Sequence, residues 1–144
     1  MFRLAIAALF LAGCTLAPAE PTGAVAAQPQ PAIEGAEWRA VEIDGAAVAG
    51  PGPRSLTLRM ASGRAGGGAG CNNYAGDYAL AAGQGIRFGS LGGTRMLCHD
   101  QVMALERRFF SALAAARRYT IAADGSLLLS GENGRSIRVV RDER

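Results

Sequence analysis

The chain has 144 residues, 15 basic and 12 acidic side chains and a formal charge of +3, which leaves room for one ordinary domain around one modest core. Every basic residue is an arginine, so mechanisms that need an amine are excluded: Walker-type phosphate loops, Schiff bases and Ser-Lys dyads. No stretch interleaves the arginines with aromatics, so nucleic acid is not an expected partner, and the pairs Arg107-Arg108 and Arg117-Arg118 read as a solvated helix face and a helix end.

Residues 1–13 read as a secretory leader, with Arg3 at the start, an apolar run over 4–12, and Leu11-Ala12-Gly13 before Cys14. The run is too short to span a bilayer, which takes about 20 apolar residues. Leu-Ala-Gly-Cys at its end resembles the bacterial lipobox, so Cys14 is expected to be lipidated and to anchor the protein in a membrane. Thr15 follows, where an Asp would resemble an inner-membrane retention signal; the expected location is therefore the outer membrane, with the domain facing the periplasm. Residues 14–36 include Pro18, Pro21, Pro29 and Pro31 among Ala, Gln and Thr, and read as a flexible tether. The domain is expected over 37–141.

Within it, residues 37–43 alternate and stop at Asp44-Gly45, which predicts a strand with Trp38 facing inward. Residues 55–61 repeat the pattern, with Leu56, Leu58 and Met60 on one face. The glycine-dense stretch 63–76 predicts a strand that is kinked or closely approached by other backbone. Residues 78–80 and 86–88 predict two short strands. A helix is predicted over about 100–118, capped by Asp100, with Val102, Leu105, Phe109, Ala112, Leu113 and Ala116 on one stripe. Residues 119–122, 127–129 and 137–140, separated by turns at Asp124-Gly125 and Asn133-Gly134, predict a closing meander. Strands, then a helix, then strands imply an α+β domain: a curved antiparallel sheet, open or cracked like an incomplete barrel, packed by one main helix.

Two motifs carry a family resemblance. Gly70-Cys71-Asn72-Asn73-Tyr74-Ala75-Gly76-Asp77-Tyr78 and Thr94-Arg95-Met96-Leu97-Cys98, followed by Glu106, Phe109 and Leu113, resemble the META domain, the family of the HslJ-like heat-inducible lipoproteins. Gly70, Asn72, Tyr74, Gly76, Thr94 and Met96 are the residues that match its pattern, whereas Asn73 stands where an Arg is usual and Ala75 where a Ser is usual. The resemblance implies a compact α+β domain, often lipid-anchored, linked to heat response and drug tolerance, with no established reaction. The fold is also similar to that of pilot proteins that escort secretin subunits.

Cys71 and Cys98 remain once Cys14 is acylated, and an oxidising compartment makes a disulfide the first reading, with buried free thiols as the other. A metal site would need Cys71, Cys98 and His99 with no evident fourth ligand, so neither metal nor cofactor is expected. His99-Asp100 does not make a catalytic triad, because triad members converge from separate segments, and no enzyme activity is expected. Glu106 falls inside the apolar stripe, where a carboxylate needs a partner from another segment; Arg95 is expected to supply it as an ion pair, the other reading placing Glu106 at the stripe's edge. Two functions stay open. One is a binding or envelope-maintenance module for a protein or lipid-like ligand; the other is an inhibitor of an attacking hydrolase such as lysozyme. The domain is expected to be monomeric.

Overall fold

The alternation of residues 37–43 produces the first strand, β1 (Glu37–Ile43), with Trp38, Ala40 and Ile43 buried. In this computed structural model the described residues are 33–48 and 55–143. The leader, Cys14, Thr15 and the tether up to residue 32 lie outside them. After the Asp44-Gly45 turn, where both residues have positive φ, comes the two-residue β2 (Ala46–Ala47). β3 (Thr57–Ala61) and β4 (Arg64–Gly68) form a hairpin through Ser62-Gly63, again both at positive φ, the geometry of a tight two-residue turn. β5 (Asn73–Ala81), β6 (Gly85–Phe88) and β7 (Gly92–Gly93) follow, then the helix α1 (Asp100–Ala115), β8 (Ala116–Ile121), β9 (Leu127–Gly131) and β10 (Ser136–Arg141).

The expected open or cracked sheet is corrected by one pairing. β1 and β10, the first and last strands, run antiparallel from Trp38↔Arg141 to Ile43↔Ile137, with a register shift between Ala40 and Glu42 that adds twist. This joins β1, β3, β4, β5, β6, β8, β9 and β10 into a closed eight-stranded antiparallel barrel with one helix. Closure gives every strand of the ring a neighbour on both sides, which reduces the hazard of edge-to-edge association. The briefest seam joins β6 to β8 at Gly85↔Arg118, supported by the Tyr119 N–H donating to the Gln84 carbonyl at 2.9 Å.

Inward positions fill the barrel: Trp38, Leu58, Met60, Ile137 and Val139 are all at 0% exposure. Each such aliphatic side chain contributes about 1.5–3 kcal/mol by leaving water. Outward positions carry charged side chains, including Arg59, Asp77, Arg87 and Arg118, together with small residues such as Ala61 and Ala75.

Because neighbouring strands alternate in direction, one mouth gathers the end of β6 and the start of β8, and α1 connects them across it. Phe109 and Leu113 enter the core from α1, Tyr74 of β5 meets Phe109 and Phe110 edge-on at 5.7 and 5.3 Å, and the Arg108 guanidinium donates to the Ile43 carbonyl at 2.9 Å. The helix ends at Ala115, short of the expected 118, because Ala116 and Arg118 are drawn into pairing with Gly131 and Ser130 of β9. His99, not Asp100, is its N-cap, with Nδ1 accepting from the Gln101 N–H at 3.4 Å.

The opposite mouth is covered by residues 33–36. Ile33 is buried and its carbonyl accepts from Trp38 Nε1 at 2.9 Å, the Gly35 N–H donates to the Met60 carbonyl at 2.8 Å, and the Tyr78 hydroxyl donates to Glu34. The packed domain thus includes at least Ile33, ahead of the start expected at 37, since an isoleucine seated over the core is part of the fold and not of a tether.

Candidate functional site

The two sequence motifs meet at the helix-covered mouth, and Asn72 is where they join. Its side-chain Oδ1 accepts from the Met96 N–H at 2.7 Å and from the Thr94 hydroxyl at 2.8 Å. Its Nδ2 donates to the two Glu106 carboxylate oxygens at 2.9 and 3.2 Å and to the Met96 carbonyl at 3.3 Å, while its backbone N–H donates to Glu106 Oε2 at 3.0 Å. An amide can do this because it carries donors and acceptors on one planar group. Next to it, the Asn73 N–H donates to the Thr94 hydroxyl at 3.2 Å and the Thr94 N–H to the Asn73 carbonyl at 3.0 Å.

Cys71 and Cys98 are bonded to each other, with Cα atoms 6.0 Å apart. The bond, Asn72 and Thr94 together clasp residues 94–98 against the start of β5 and the first turns of α1. The remaining motif residues serve the same clasp. Gly70 has φ of +89°, a conformation that favours glycine, and lets the chain turn into Cys71. At Gly76 a Cβ would sit 2.5 Å from the Ser90 carbonyl oxygen, so only glycine lets the 89–93 segment pass this close. Tyr74 is buried, its hydroxyl donating to the Thr57 carbonyl at 2.8 Å, and burial pushes its phenol well above the ordinary value.

The Arg95–Glu106 ion pair expected from the sequence is not formed. Glu106 is buried, at 7% exposure, but its carboxylate is answered by Asn72, and Arg95 points to solvent. The physical reason is local: Asn72 brings a backbone and a side-chain donor to the same oxygens, and the clasp turns Arg95 outward while Met96 turns its backbone inward. Burial inside the stripe was legible; the partner was not, although the Asn72-Asn73 amide pair directly after Cys71 was a signal that could have found it.

The clasp leaves the tip of its loop in water. Met96 is 45% and Leu97 93% exposed, beside Arg95. A second surface feature lies on the outer wall across β1, β3, β4 and β5: an open groove of about 390 Å³ lined by the small residues Ala61, Ala65, Gly66, Gly67 and Ala75 and by the charged Glu37, Arg59 and Arg64. Asn73 and Ala75, the two departures from the family pattern, are both exposed, and Ala75 forms part of this lining. Among the described residues no group of three or more His, Cys, Asp or Glu side chains could hold a metal ion. His99 serves as the N-cap of α1, its Nδ1 accepting from the Gln101 N–H.

Comparison with known proteins adds three findings. The chain is 28% identical to a protein from Burkholderia xenovorans whose NMR structure matches with a TM-score of 0.64, covering 87% of this chain and 99% of that one. No curated protein matches. The family model of the META domain matches residues 31–144, a span that takes in Ile33, the whole barrel and both halves of the clasp. The chain belongs to the META domain family.

Proposed function

We propose that this protein is a non-enzymatic lipoprotein of the outer membrane, held by acyl chains on Cys14, whose periplasmic META domain is an envelope binding module working by surface contact. The observation that carries the reading is the filled interior. With Trp38, Leu58, Met60, Ile137 and Val139 at 0% exposure, α1 over one mouth and Ile33 over the other, the barrel is a scaffold and not a container. What it offers to a partner lies outside, on a rigid wall and a clasped loop. The alternation supports a water-facing wall too: apolar side chains point in and charged ones out, the reverse of a barrel immersed in lipid. Leu11-Ala12-Gly13-Cys14 supports the anchor, and a bonded Cys71–Cys98 pair suits an oxidising compartment.

Fractionation of envelopes tests the anchor. The natural chain is expected with outer membranes and the Cys14→Ser chain in the soluble periplasmic fraction; a Cys14→Ser chain that still sediments with membranes would remove lipidation from the reading. A second reading, inhibition of an attacking hydrolase, draws on the projecting loop, because inhibitors of this kind insert one rigid loop into a cleft. Slowing of lysozyme by the purified domain, reversed by Arg95→Ala and Leu97→Ser, would establish it; unchanged lysozyme activity in excess domain would dismiss it.

A further inference from the structure

The clasped tip and the outer groove are each unanswered within one copy, and they are complementary. At the tip, Leu97 is 93% and Met96 45% exposed, on a backbone pinned by the Cys71–Cys98 bond and by Asn72 at both the N–H and the carbonyl of Met96. An apolar side chain held this way loses little further freedom on docking, which is the general advantage of a preorganised contact. The groove supplies the matching surface. Its apolar part is the backbone of Gly66 and Gly67 and the exposed methyl groups of Ala61 and Ala75, with Glu37, Arg59 and Arg64 also along it, and it is an open, shallow depression of about 390 Å³.

The charges agree with the shapes. Beside the tip are Arg95 and, at the first helical position, Asp100; on the groove are Glu37 and Arg59, which oppose each other across β1 and β3, and Arg64, whose charge is already met by Asp77. Among the described residues none of Arg95, Asp100, Glu37 and Arg59 takes part in an ion pair, whereas Arg64, Asp44, Glu132 and Asp124 all do. Arg95 against Glu37 and Asp100 against Arg59 would satisfy all four at once.

We propose that the tip at residues 95–97 of one copy of this chain docks in the β1–β3–β4–β5 groove of a second copy. The inference rests on the surface-contact reading above and names the partner. Tip and groove are different patches, so the contact is heterologous, and repetition gives rings or short chains. A single loop in a shallow groove buries little area, so the association is weak in solution and is strengthened where tethered copies share one membrane surface. A bilayer is the poorer occupant, because a tip one leucine wide offers far less apolar surface than stable membrane attachment takes.

Sedimentation equilibrium on the chain from residue 14 onward, carrying Cys14→Ser, tests this between about 10 μM and 1 mM, a span matched to weak association. Reversible association is expected. Leu97→Ser, Arg95→Glu and Glu37→Arg are each expected to weaken it by about tenfold or more, and Arg95→Glu combined with Glu37→Arg to restore it to within about threefold. All three positions are exposed, so an unchanged thermal midpoint shows that the fold is intact. A chain that stays monomeric throughout, an association indifferent to Leu97→Ser, or a double reversal no better than its single parts overturns the proposal. Binding to phosphatidylglycerol vesicles that depends on Leu97, by a chain that stays monomeric, would assign the tip to lipid and overturn it equally. The outcome does not depend on lipidation, so it stands apart from the fractionation result.

Discussion

Asn72 meets the buried carboxylate of Glu106 with two donors, its backbone N–H at 3.0 Å and its side-chain amide at 2.9 Å, and turns the other end of that amide to the backbone of Met96 at 2.7 Å. One neutral side chain therefore ties the start of β5, the clasped loop and α1 together. Hydrogen bonds to a charged acceptor are worth about 1.5–3 kcal/mol each, and a buried carboxylate deprived of them costs more than the bonds alone.

Asn72→Ala is accordingly expected to destabilise the domain by about 3 kcal/mol, since it strips the side-chain donor from a carboxylate at 7% exposure. Glu106→Gln should cost less, because an amide oxygen still accepts one bond. Arg95→Ala should fall within about 0.5 kcal/mol of the natural chain, as expected for an exposed residue without a partner. Urea denaturation of the three variants separates these outcomes; an Arg95→Ala loss as large as that of Asn72→Ala would restore the ion pair that the structure replaces.

The Cys71–Cys98 bond closes a loop with a sequence separation of 27, which in the chain-entropy model is worth about 3–4 kcal/mol. Replacing both cysteines by alanine is expected to lower the thermal midpoint by roughly 15–25 °C for a domain of this size. Calorimetry with and without reductant checks it. A midpoint that does not move would mean that the hydrogen bonds of Asn72 and Thr94 hold the loop unaided.

Ile33 is expected to behave as a core residue. Ile33→Ala should cost about 2–5 kcal/mol, and a chain started at Glu37 should be destabilised at least as much, since it also loses the carbonyl that accepts from Trp38 Nε1 at 2.9 Å. Trp38 is at 0% exposure and is the chain's one tryptophan, so its fluorescence reports the same event. A shift to longer wavelength in the shortened chain is expected; unchanged emission and stability would return residues 33–36 to the tether.

Asp124 sets a pH dependence. The Ser126 hydroxyl and backbone N–H, at 2.6 and 2.9 Å, and then the Arg138 guanidinium hold its carboxyl at about 2, below the ordinary 3.8. A carboxyl depressed in the folded state favours folding above its unfolded value and loses that contribution as pH falls from about 4 towards 2. Asp124→Asn is expected to flatten the stability profile in that window and leave it unchanged near pH 7 in slope. The Asp124 side chain is about half exposed, at 52%, so added salt should shrink the effect. Identical acid profiles for the two chains would dismiss it.

Much of this protein was local, and local order is what a sequence carries. The alternation over residues 37–43 ended where β1 ends, at Ile43, and the Asn-Gly and Asp-Gly pairs marked their turns, because side-chain period and backbone φ are decided within a few residues. The helical period placed Glu106 on the buried side of α1 for the same reason. Tertiary structure decided the rest. Pairing of β1 with β10, which turned an expected open sheet into a closed barrel, joins segments about a hundred residues apart, and nothing in either strand distinguishes that partner from a free edge. The helix lost its last turn to β8 because pairing with β9 outweighed helical propensity at Ala116 and Arg118. Glu106 found Asn72 instead of Arg95, and Ile33 left the tether for the core, because hydrogen-bond geometry and burial are properties of where chains meet, which no single segment contains.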